Sequence, residues 1–566
     1  MRWEKLPSPE KEKVNQLAEE LKIDKYLSKI LVQRGVETFD QARKFFKPTL
    51  DDLYDPFLMK DMDKAVSRIE KAIENNENIL IYGDYDVDGT TAVTLVSTFL
   101  KNNYPKVATY IPDRYREGYG ISFTGIDFAH DNDISLVIAL DCGIKANDKI
   151  DYANKKNIDF IICDHHRPGD KLPEAVAVLD PKRDDCQYPF KELPGCGIGF
   201  KLIQAMAEKK GETIHSLLPY LDLVVTAIAA DIVPLTDENR VLATFGLQVI
   251  NANPRPGIRA ITEQMKKDIL TITDVVFQIA PRINAAGRMK HGLYAVELLS
   301  ERNYKKALEY AKAIEVFNSD RKDLDKEITK EALIQIEGNQ EEKNYSTVVC
   351  REEWHKGVIG IVASRLIEKY YRPTIVFTLS GDKLTGSARS VKGFDIYDAI
   401  EKCSEYIEQF GGHKYAAGLT ILPENYTLFK NKFEEVVKES ISEEMLIPQI
   451  TIDSEIPLHE ITPKFLRILK RLGPFGPRNM KPVFESSGLR DNGYGKTVGN
   501  DGDHLKLSII KGSDTNTYQA IGFGLGYKYP LIKNGLSFKA AFTIEENHWN
   551  GMTNLQLNIK DIKKEK

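Results

Sequence analysis

The sequence predicts an α/β protein with a doubly wound parallel sheet, followed by a second α/β domain and a C-terminal β-barrel. Short apolar, β-rich runs alternate with helical segments through the first half of the chain, which is typical of a parallel sheet covered by helices on both faces. A second unit of this kind starts at STVVC. From about residue 450 onward, short β-like runs are separated by Gly, Asn and Asp turns, and this spacing favours a small barrel.

The length of 566 residues is enough for three or four domains and a large buried core. The charged segment after residue 300 has a helical pattern up to Gly338, and we expect it to be a mostly solvated connecting helix. The expected units are a helical extension at 1–75, a first α/β domain at 76–300, the connecting helix at 301–342, a second α/β domain at 343–447 and the barrel at 448–566.

The charge distribution separates an acidic body from a basic C-terminal region. The whole chain has a formal charge of −5, which by itself argues against a nucleic-acid binder. Residues 451–566 nevertheless carry 17 Lys and Arg against 12 Asp and Glu. Six cysteines without a CxxC pair exclude a disulfide scaffold and a structural zinc site. With neither an apolar run of spanning length nor a signal-like N-terminus, we expect a cytoplasmic protein.

Polar side chains follow several apolar runs of the first domain, at the points where these runs end. The runs NILIYGDYD, KVATYIP, LVIALDCG and DFIICDHH have the pattern of short buried strands. Because ligands bind at the carboxyl ends of the strands in such sheets, we expect the terminal polar groups to meet at one edge. These groups are Asp84, Asp86 and Asp88, then Asp141, then Asp164, His165 and His166, and finally Asp231 after VVTAIAA.

Several carboxylates and two imidazoles without thiolates favour Mn²⁺, Mg²⁺ or a similar divalent ion. The set contains enough ligands for two ions, and ions about 3.5–4 Å apart are the usual device for phosphoester hydrolysis. A calcium loop is an alternative for DYDVDG, but its twelfth position is Leu95 rather than Glu, and the segment follows a strand. By itself, Asp164-His165-His166 could equally be a helix cap or a surface cluster. Asp222 has the position of a helix N-cap.

At these residues the sequence resembles the DHH phosphoesterase superfamily, whose motif is present as Asp164-His165-His166. Within that superfamily it resembles the RecJ family of single-strand-specific DNA exonucleases. The matching segments occur in the family's order over about residues 75–420. They are LIYGDYDVDGTTA, PDRYREGYG, ALDCGI, ICDHH, LPGCGIGFKL, AADIVPL, PRINAAGRM, WHKGVIGIVASRL, GSARS and GGHKYAAG.

The resemblance implies a metal-dependent exonuclease that acts in DNA repair and recombination. It would degrade single-stranded DNA from 5′ to 3′ into mononucleotides, with two Mn²⁺ or Mg²⁺ ions activating the attacking water. The superfamily's phosphatases begin with His-x-x-x-Asp-x-Asp, whereas this chain has Asp-x-Asp-x-Asp, so the role of Asp84 stays open. Asp164 is expected to orient the histidines. The implied direct metal ligands and catalytic residues are Asp86, Asp88, Asp141, His165 and Asp231, with Asp84 and His166 as ligands or supporting groups and His166 also among the catalytic residues.

The resemblance also implies a pocket for the 5′-terminal phosphate, formed by Ser387 and Arg389 of GSARS together with Arg114 of PDRYREGYG. A guanidinium supplies a planar fork of donors that suits a phosphate, and a serine adds a hydroxyl. Without the resemblance, surface arginines are the alternative to a phosphate pocket.

Four further residues are expected to contact DNA. Tyr119 resembles a platform on which any base can stack, with a core tyrosine as the alternative. Arg282 and Arg288 flank small residues in PRINAAGRM, and either one could touch the DNA backbone. His413 follows two glycines that permit close approach of the backbone to a phosphate, although an isolated histidine is more often structural.

The C-terminal region resembles an OB-fold, a common platform for single strands, because it combines basic and aromatic residues. Some of these aromatic residues are expected to form the barrel core instead. They are Phe465, Phe475, Tyr494, Tyr518, Phe523, Tyr527 and Trp549.

The implied partners are single-stranded DNA, a single-strand-binding protein and a helicase, with no membrane association and a monomeric chain. Two other functions compete with this one. A DHH-type phosphodiesterase for short oligonucleotides or cyclic dinucleotides would generally be shorter and lack the basic module. A non-catalytic DNA-binding relative would not need the complete set of acidic and histidine ligands.

Overall fold

The computed structural model describes residues 1–265, 267–511, 516–549 and 552–565, with the side chains of 548, 549, 552 and 553 left out. Within these ranges the longer elements form three sheets of five or seven strands and one two-stranded sheet. Within the same ranges, none of the helices combines the length and apolar character needed to cross a bilayer. Short 3₁₀ helices lie at Leu50–Asp52, Pro56–Leu58, Ile214–Tyr220, Ser404–Tyr406, Pro423–Asn425, Glu443–Leu446, Leu458–Glu460, Gly526–Leu531 and Lys533–Gly535.

The N-terminal segment packs against two different parts of the protein. The apolar faces of its first three helices, with Leu17, Leu27 and Leu31, share one hydrophobic core with the C-terminal barrel. The next helix belongs to the core of the first α/β domain. The predicted unit 1–75 therefore divides between two cores. Its elements are β1 (Arg2–Lys5), α1 (Lys11–Leu21), α2 (Lys25–Gln33), α3 (Phe39–Phe46) and α4 (Met62–Glu74).

The first domain contains a five-stranded sheet in which all strands run parallel, in the order β3-β2-β4-β5-β6. Successive residues alternate between the two faces, as strand geometry requires. Ile79 and Ile81 lie in the core with α4 and α5, and Leu80 and Tyr82 lie in the opposite core with α6 and α7. This is the predicted doubly wound arrangement. The strands are β2 (Asn78–Gly83), β3 (Val107–Tyr110), β4 (Ile134–Leu140), β5 (Asp159–Cys163) and β6 (Ala177–Leu179), and the first helices are α5 (Val87–Lys101), α6 (Phe123–Asp131) and α7 (Asn147–Lys155).

Further helices cover the face of the sheet that carries α5. A π-helix at Val275–Ile279 leads into α13, which carries the predicted arginines Arg282 and Arg288. The remaining helices are α8 (Gly195–Lys209), α9 (Leu221–Ala230), α10 (Asp237–Ala252), α11 (Pro256–Thr262), α12 (Ile272–Asp274), α13 (Ala280–Met289) and α14 (Leu293–Ser300).

The connecting helix α15 (Tyr304–Gly338) is present, and most of its residues are exposed or half-buried, as expected of a solvated helix. A stripe of residues along its length is buried against both α/β domains. The sequence did not predict this stripe, because its small and apolar residues are interrupted by the polar residues Asn318 and Asp325.

The second domain contains a five-stranded mixed sheet in the order β10-β11-β9-β8-β7. Only β7 and β8 are parallel, and the other described pairs are antiparallel. Helices cover both faces. Its elements are β7 (Thr347–Cys350), α16 (Ile359–Tyr370), β8 (Thr374–Ser380), β9 (Lys383–Arg389), α17 (Ile396–Glu401), β10 (Gln409–His413), β11 (Ala416–Ile421) and α18 (Tyr426–Ser440).

The C-terminal domain forms a seven-stranded sheet in the order β13-β14-β18-β19-β17-β16-β15, and an additional pairing of β14 with β16 closes it into an OB-like barrel. The strand β12 lies before the barrel and pairs in parallel with β1. We retain the predicted ranges 76–300, 343–447 and 448–566 as proposed domain boundaries. The elements are β12 (Gln449–Ile452), β13 (Ser454–Glu455), α19 (Pro463–Arg471), β14 (Phe484–Asp491), β15 (Lys496–Val498), β16 (His504–Lys511), β17 (Tyr518–Gly522), β18 (Phe538–Trp549) and β19 (Met552–Lys564).

Candidate metal centre and phosphate-binding cluster

Three of the predicted carboxylates, those of Asp88, Asp141 and Asp231, meet around His165 at the carboxyl edge of the first sheet. The Nε2 atom of His165 lies 3.2 Å from Asp141 Oδ1, 3.7 Å from Asp231 Oδ2 and 3.9 Å from Asp88 Oδ2. Ligand atoms of Asp88, His165 and Asp231 lie within 4.8 Å of one another, and so do those of Asp141, His165 and His166. Two groups of three ligands thus share one imidazole.

Local backbone geometry brings these side chains together. A Cβ atom on Gly89 would lie 2.4 Å from the carbonyl oxygen of Asp84, so only glycine lets the start of α5 approach the end of β2. Asp141 has a φ of +60°, a conformation that Asp adopts more readily than most residues. A Cβ on Gly195 would lie 2.5 Å from Asp141 Cβ, so the start of α8 also packs directly on this site.

Backbone amides and the carboxylate of Asp164 hold the candidate ligands in place through hydrogen bonds. The amides of Gly195 and Cys196, at the start of α8, donate to Asp88 Oδ2 and Oδ1 at 2.6 and 2.7 Å. Asp164 accepts hydrogen bonds from the amides of His165 and His166 and contacts His166 Nδ1 at 2.8 Å. These contacts support the predicted orienting role of Asp164.

Several ligand atoms lack partners among the described residues. Asp84 Oδ2, Asp141 Oδ1 and both ring nitrogens of His165 are buried without a hydrogen bond. Buried polar atoms are rarely left in this state unless an ion or water satisfies them. Oxygen and imidazole donors in this number fit two divalent cations.

The crowding of carboxylates shifts their pKa values. Burial and the charges of Asp231 and Asp86 raise the pKa of Asp88 well above its usual range, and burial and Asp88 do the same to the pKa of Asp141. Burial and Asp86 raise the pKa of Asp231 to about 7. Such carboxylates are stable as anions only when cations neutralise them.

The two histidines titrate in opposite directions. Burial and the neighbouring His166 lower the pKa of His165 to about 3. The imidazole of His165 is therefore neutral at physiological pH and can bind a metal ion. Burial also disfavours the cation of His166, but the hydrogen bond and charge of Asp164 outweigh burial and raise the pKa of His166 to about 9. Binding of a cation at His166 Nε2 would therefore require loss of a proton.

Tyr119 is tied to the metal centre, although it remains 54% exposed. Its hydroxyl donates to the carbonyl oxygen of Asp141 at 3.1 Å and contacts His166 Nε2 at 3.2 Å. The ring lies edge-on to Tyr85. The exposed ring is compatible with the predicted stacking of a base.

A cluster of cations lies beside the metal centre, between the two α/β domains. The Arg114 guanidinium lies 4.7 Å from the centroid of the Tyr85 ring. Burial and the charges of Arg114, Arg389 and Arg321 lower the pKa of Arg288 to about 10. Burial and Arg114 also lower the pKa of Arg389. Clustered cations of this kind create a positive potential that favours the binding of an anion.

Ser387 and Arg389 lie next to each other on β9, and Arg389 Nη1 donates to Ser387 Oγ at 3.2 Å. A Cβ on Gly360 of α16 would lie 2.9 Å from both Arg389 Nη2 and Ser387 Oγ. The absence of a side chain at Gly360 therefore keeps room for the predicted phosphate pocket.

The structure distinguishes the two arginines of α13. Arg282 donates to Glu315 Oε2 at 2.5 Å and to the carbonyl oxygen of Gln278 at 2.7 Å, so its donors serve the packing of α13 on α15. Arg288 belongs to the cation cluster and donates to the carbonyl oxygen of Gly357 in the second domain at 2.9 Å. Arg288 is thus the better candidate for a DNA contact.

His413 lies at the end of the edge strand β10, exposed to solvent, and its Nδ1 accepts a hydrogen bond from the Tyr415 amide at 3.4 Å. None of the contacts among the described residues joins it to the metal centre. Its predicted contact with the scissile phosphate stays a prediction.

Sequence reasoning missed four polar residues near the cluster. Burial and Arg114 lower the pKa values of His355 and Lys356, which places both side chains at the cluster. On α15, Asn318 Nδ2 and Arg321 Nε are buried without a hydrogen-bond partner among the described residues. The one available signal was their spacing of three residues, which places both on one helix face.

The barrel aromatics divide into two groups. Phe465 is buried in the core, and Phe475 and Tyr518 pack partly against it. Three others are strongly exposed, with 79% of Tyr494, 62% of Phe523 and 71% of Tyr527 accessible. The side chain of Trp549 lies outside the described residues.

Comparison with known proteins first defines the class. Residues 78–228 match the family model described as DHH family, N-terminal domain, and residues 342–439 match the DHHA1 domain. Residues 452–561 match the RecJ OB domain. The domain composition is thus that of a DHH-type protein with an OB module.

Whole-chain relatives then define the family. A single-stranded-DNA-specific exonuclease RecJ of Bacillus subtilis is 36% identical over 99% of this chain and 70% of that protein. The Escherichia coli protein of that description is 30% identical over 95% of each chain. The crystal structure of RecJ from Thermus thermophilus in complex with Mn²⁺ superposes with a TM-score of 0.85, at 25% identity over 100% of this chain and 80% of that chain. The chain belongs to the RecJ family.

Proposed function

We propose that this chain is a metal-dependent exonuclease that degrades single-stranded DNA from its 5′ end to mononucleotides. The relatives described as single-stranded-DNA-specific exonucleases support this function. The observation that carries it is the convergence of Asp88, Asp141 and Asp231 on one His165 nitrogen, beside a cluster of mutually repelling cations. A metal centre beside a cation cluster suits cleavage of the phosphodiester at the end of a DNA strand.

Two Mn²⁺ or Mg²⁺ ions would be held by the acidic and histidine ligands. When bound, such ions supply a Lewis acid for the phosphate oxygens and a means of activating water. The protein's own contribution is to fix the ligands, through the amides at the start of α8 and through Asp164. The proposed ligands are Asp86, Asp88, Asp141, His165 and Asp231, with Asp84 and His166 at the edges of the set.

The 5′-end preference follows from the cation cluster. Ser387, Arg389 and Arg114 would hold the 5′-terminal phosphate, and Arg288 would hold the adjoining backbone. Tyr119 would stack on a base between these groups and the metal centre. A strand anchored in this way presents one phosphodiester to the ligands and is shortened from its 5′ end.

We expect a single strand labelled at its 3′ end to shorten progressively, and a strand labelled at its 5′ end to release the label at once as a mononucleotide. Both reactions should require Mn²⁺ or Mg²⁺ and stop with chelator, and a blunt duplex should resist. Denaturing gels of time courses provide the measurement. Release of label first from the 3′ end would contradict the proposed polarity.

The pH dependence of metal binding provides a second test. In the metal-free fold the pKa of Asp231 is about 7, above its value in the unfolded chain. Between about pH 4 and pH 7 the folded state therefore binds more protons, and the stability contributed by this group is lost as the pH rises through that range. Cations reverse the loss because they neutralise the anion.

We therefore expect Mn²⁺ to raise the melting temperature more at pH 8 than at pH 5.5, and its binding to release protons. Differential scanning fluorimetry at the two pH values measures the first effect. Calorimetry in two buffers of different ionisation enthalpy measures the second. An equal shift at both pH values, without proton release, would exclude the proposed ligand set.

We further propose that the enzyme works as a monomer in the cytoplasm, with a single-strand-binding protein and a helicase as partners in DNA repair and recombination. Six free cysteines, five of them buried, support a reducing compartment. Size-exclusion chromatography coupled to light scattering tests the monomer, and pull-down with the purified partners tests the associations.

A further inference from the structure

The segment that carries Asp231 is attached to the C-terminal domain. Asp231 ends α9, and Ile232 has a φ of +56° and is 66% exposed, so this turn has little support of its own. Three residues later, the amide of Leu235 donates to the carbonyl oxygen of Pro477 at 2.8 Å. A Cβ on Gly476 would lie 3.3 Å from Leu235 Cδ2, so the Leu235 side chain packs directly on the backbone of Gly476.

Arg240 lies in the first turn of α10 and donates hydrogen bonds to the same part of the C-terminal domain. Its Nη2 donates to the carbonyl oxygen of Gly473 at 2.7 Å, and its Nη1 donates to that of Leu472 at 3.1 Å. Its Nε donates to the carbonyl oxygen of Phe45 at 3.0 Å, and the guanidinium lies 3.7 Å from the centroid of the Phe45 ring. Only 5% of Arg240 is exposed.

The loop 472–480 is held together by its own hydrogen bonds. Asn479 is almost fully buried and donates from Nδ2 to the carbonyl oxygens of Leu472 and Pro474 at 2.9 and 2.7 Å. On its other side, Arg34, which directly follows α2, donates to Asn479 Oδ1 and to the carbonyl oxygen of Met480. The N-terminal segment, the first domain and the barrel thus meet at this loop.

The arrangement is electrostatically unfavourable. Burial and the charge of Arg34 lower the pKa of Arg240 to about 9, and the carboxylate of Asp453, 3.9 Å from Arg34, offsets only part of this charge. Peptide carbonyls satisfy the donors of a buried guanidinium but do not neutralise its charge. The hydrogen bonds from Arg240 therefore fix the position of the loop backbone, while the buried charge contributes little to the stability of the fold.

We propose that Arg240 is a positioning residue that sets the place of Asp231 in the metal centre. By holding loop 472–480 against Leu235, it fixes the far end of the segment 231–236. The near end is fixed by α9, so Asp231 has one position relative to His165. The C-terminal domain then completes the metal centre as well as offering a surface for DNA. This inference depends on the proposed function only in taking Asp231 as a metal ligand.

The test uses full-length Arg240→Met and a 5′-phosphorylated dinucleotide, which offers a single phosphodiester. Residues that orient metal ligands change metal affinity or activity by about 10–100-fold. We expect Mn²⁺ to bind Arg240→Met about tenfold more weakly, measured by electron paramagnetic resonance of free Mn²⁺. We also expect kcat for the dinucleotide to fall about tenfold, with KM changed less than about twofold.

Arg372→Met is the matched control. Arg372 is equally buried, lies over Tyr370, and donates to the carbonyl oxygens of Glu341, Glu342 and Asn344, but in the second domain. We expect a similar loss of melting temperature, with wild-type Mn²⁺ affinity and wild-type kcat.

Equal Mn²⁺ affinity and kcat in wild type and Arg240→Met would overturn the inference. If Arg240→Met does not fold, Arg34→Met loosens the opposite end of the loop, and the same losses are expected from it, with the same overturning result. Wild-type Mn²⁺ binding and strand cleavage are measured first. Their failure would contradict the proposed function, whereas a difference confined to the variants addresses Arg240 alone.

Discussion

Asp141→Asn is expected to lower the turnover of single-stranded DNA by about 10³-fold or more. Asp141 is the ligand that lies nearest to His165, and loss of a bound cation removes several kcal/mol of stabilisation from a phosphoryl transition state. Asparagine keeps the shape of the side chain and tolerates the φ of +60° at this position, whereas alanine would add backbone strain. The loss therefore reports the missing charge.

The same substitution is expected to stabilise the metal-free protein. Burial and the neighbouring carboxylates raise the pKa of Asp141, so its ionisation opposes folding when no cation is bound. Asp141→Asn removes that ionisation. We expect the variant to melt at a higher temperature than wild type in chelator and to lose most of the rise that Mn²⁺ gives wild type.

Binding and a matched variant separate this effect from misfolding. Fluorescence anisotropy with a labelled single strand should show that Asp141→Asn still binds DNA, because the cation cluster is intact. Asp148→Asn changes an exposed aspartate whose partner is Lys149, and it should behave as wild type in every assay. Cleavage by Asp141→Asn within tenfold of wild type would refute the proposed metal centre.

The metal centre could be predicted because parallel strands bring sequence-distant ends together by a general rule. Asp84, Asp141 and His165 each follow a buried apolar run, and in a doubly wound sheet such ends share one edge. The contacts of Asp164 with the two histidines could also be predicted, since ligating histidines usually have a hydrogen-bond acceptor on their second nitrogen.

The phosphate cluster could be predicted only in part. The roles of Arg282 and Arg288 depend on which face of α13 meets α15, and both arginines stand in the same motif. The buried Asn318 and Arg321 occur in a helix whose average composition is that of a solvated one. Tertiary contacts decide such cases, and a local pattern does not contain them.

Contacts between the N-terminal and C-terminal parts of the chain could not be predicted from local sequence patterns either. The strand β1 pairs with β12 more than 400 residues later, and α2 packs in the barrel core. The hydrogen bond from Leu235 to Pro477 joins two backbone groups, so the residue types at these positions do not predict it. The coupling of Asp231 to the C-terminal domain became visible only in the folded chain.

Arg389→Ala is expected to remove the preference for a 5′-phosphate. Hydrogen bonds between charged groups contribute about 1.5–3 kcal/mol, so kcat/KM for a 5′-phosphorylated strand should fall about 10–100-fold. A strand with a 5′-hydroxyl lacks the group that Arg389 would hold, and its kcat/KM should change less than about threefold. The ratio of the two kcat/KM values, measured with otherwise identical oligonucleotides, isolates the terminal phosphate.

Arg282→Ala is the control that makes the ratio informative. It removes an arginine of similar burial whose donors go to Glu315 and the carbonyl oxygen of Gln278, so both kcat/KM values should stay near those of wild type. Arg288→Ala should instead reduce both values together, because the adjoining backbone phosphate is present in either strand. If Arg389→Ala also reduced both values equally, Arg389 would bind the backbone rather than the terminal phosphate. The 5′ polarity would then have to originate elsewhere in the cluster, with Arg114 as the next residue to change.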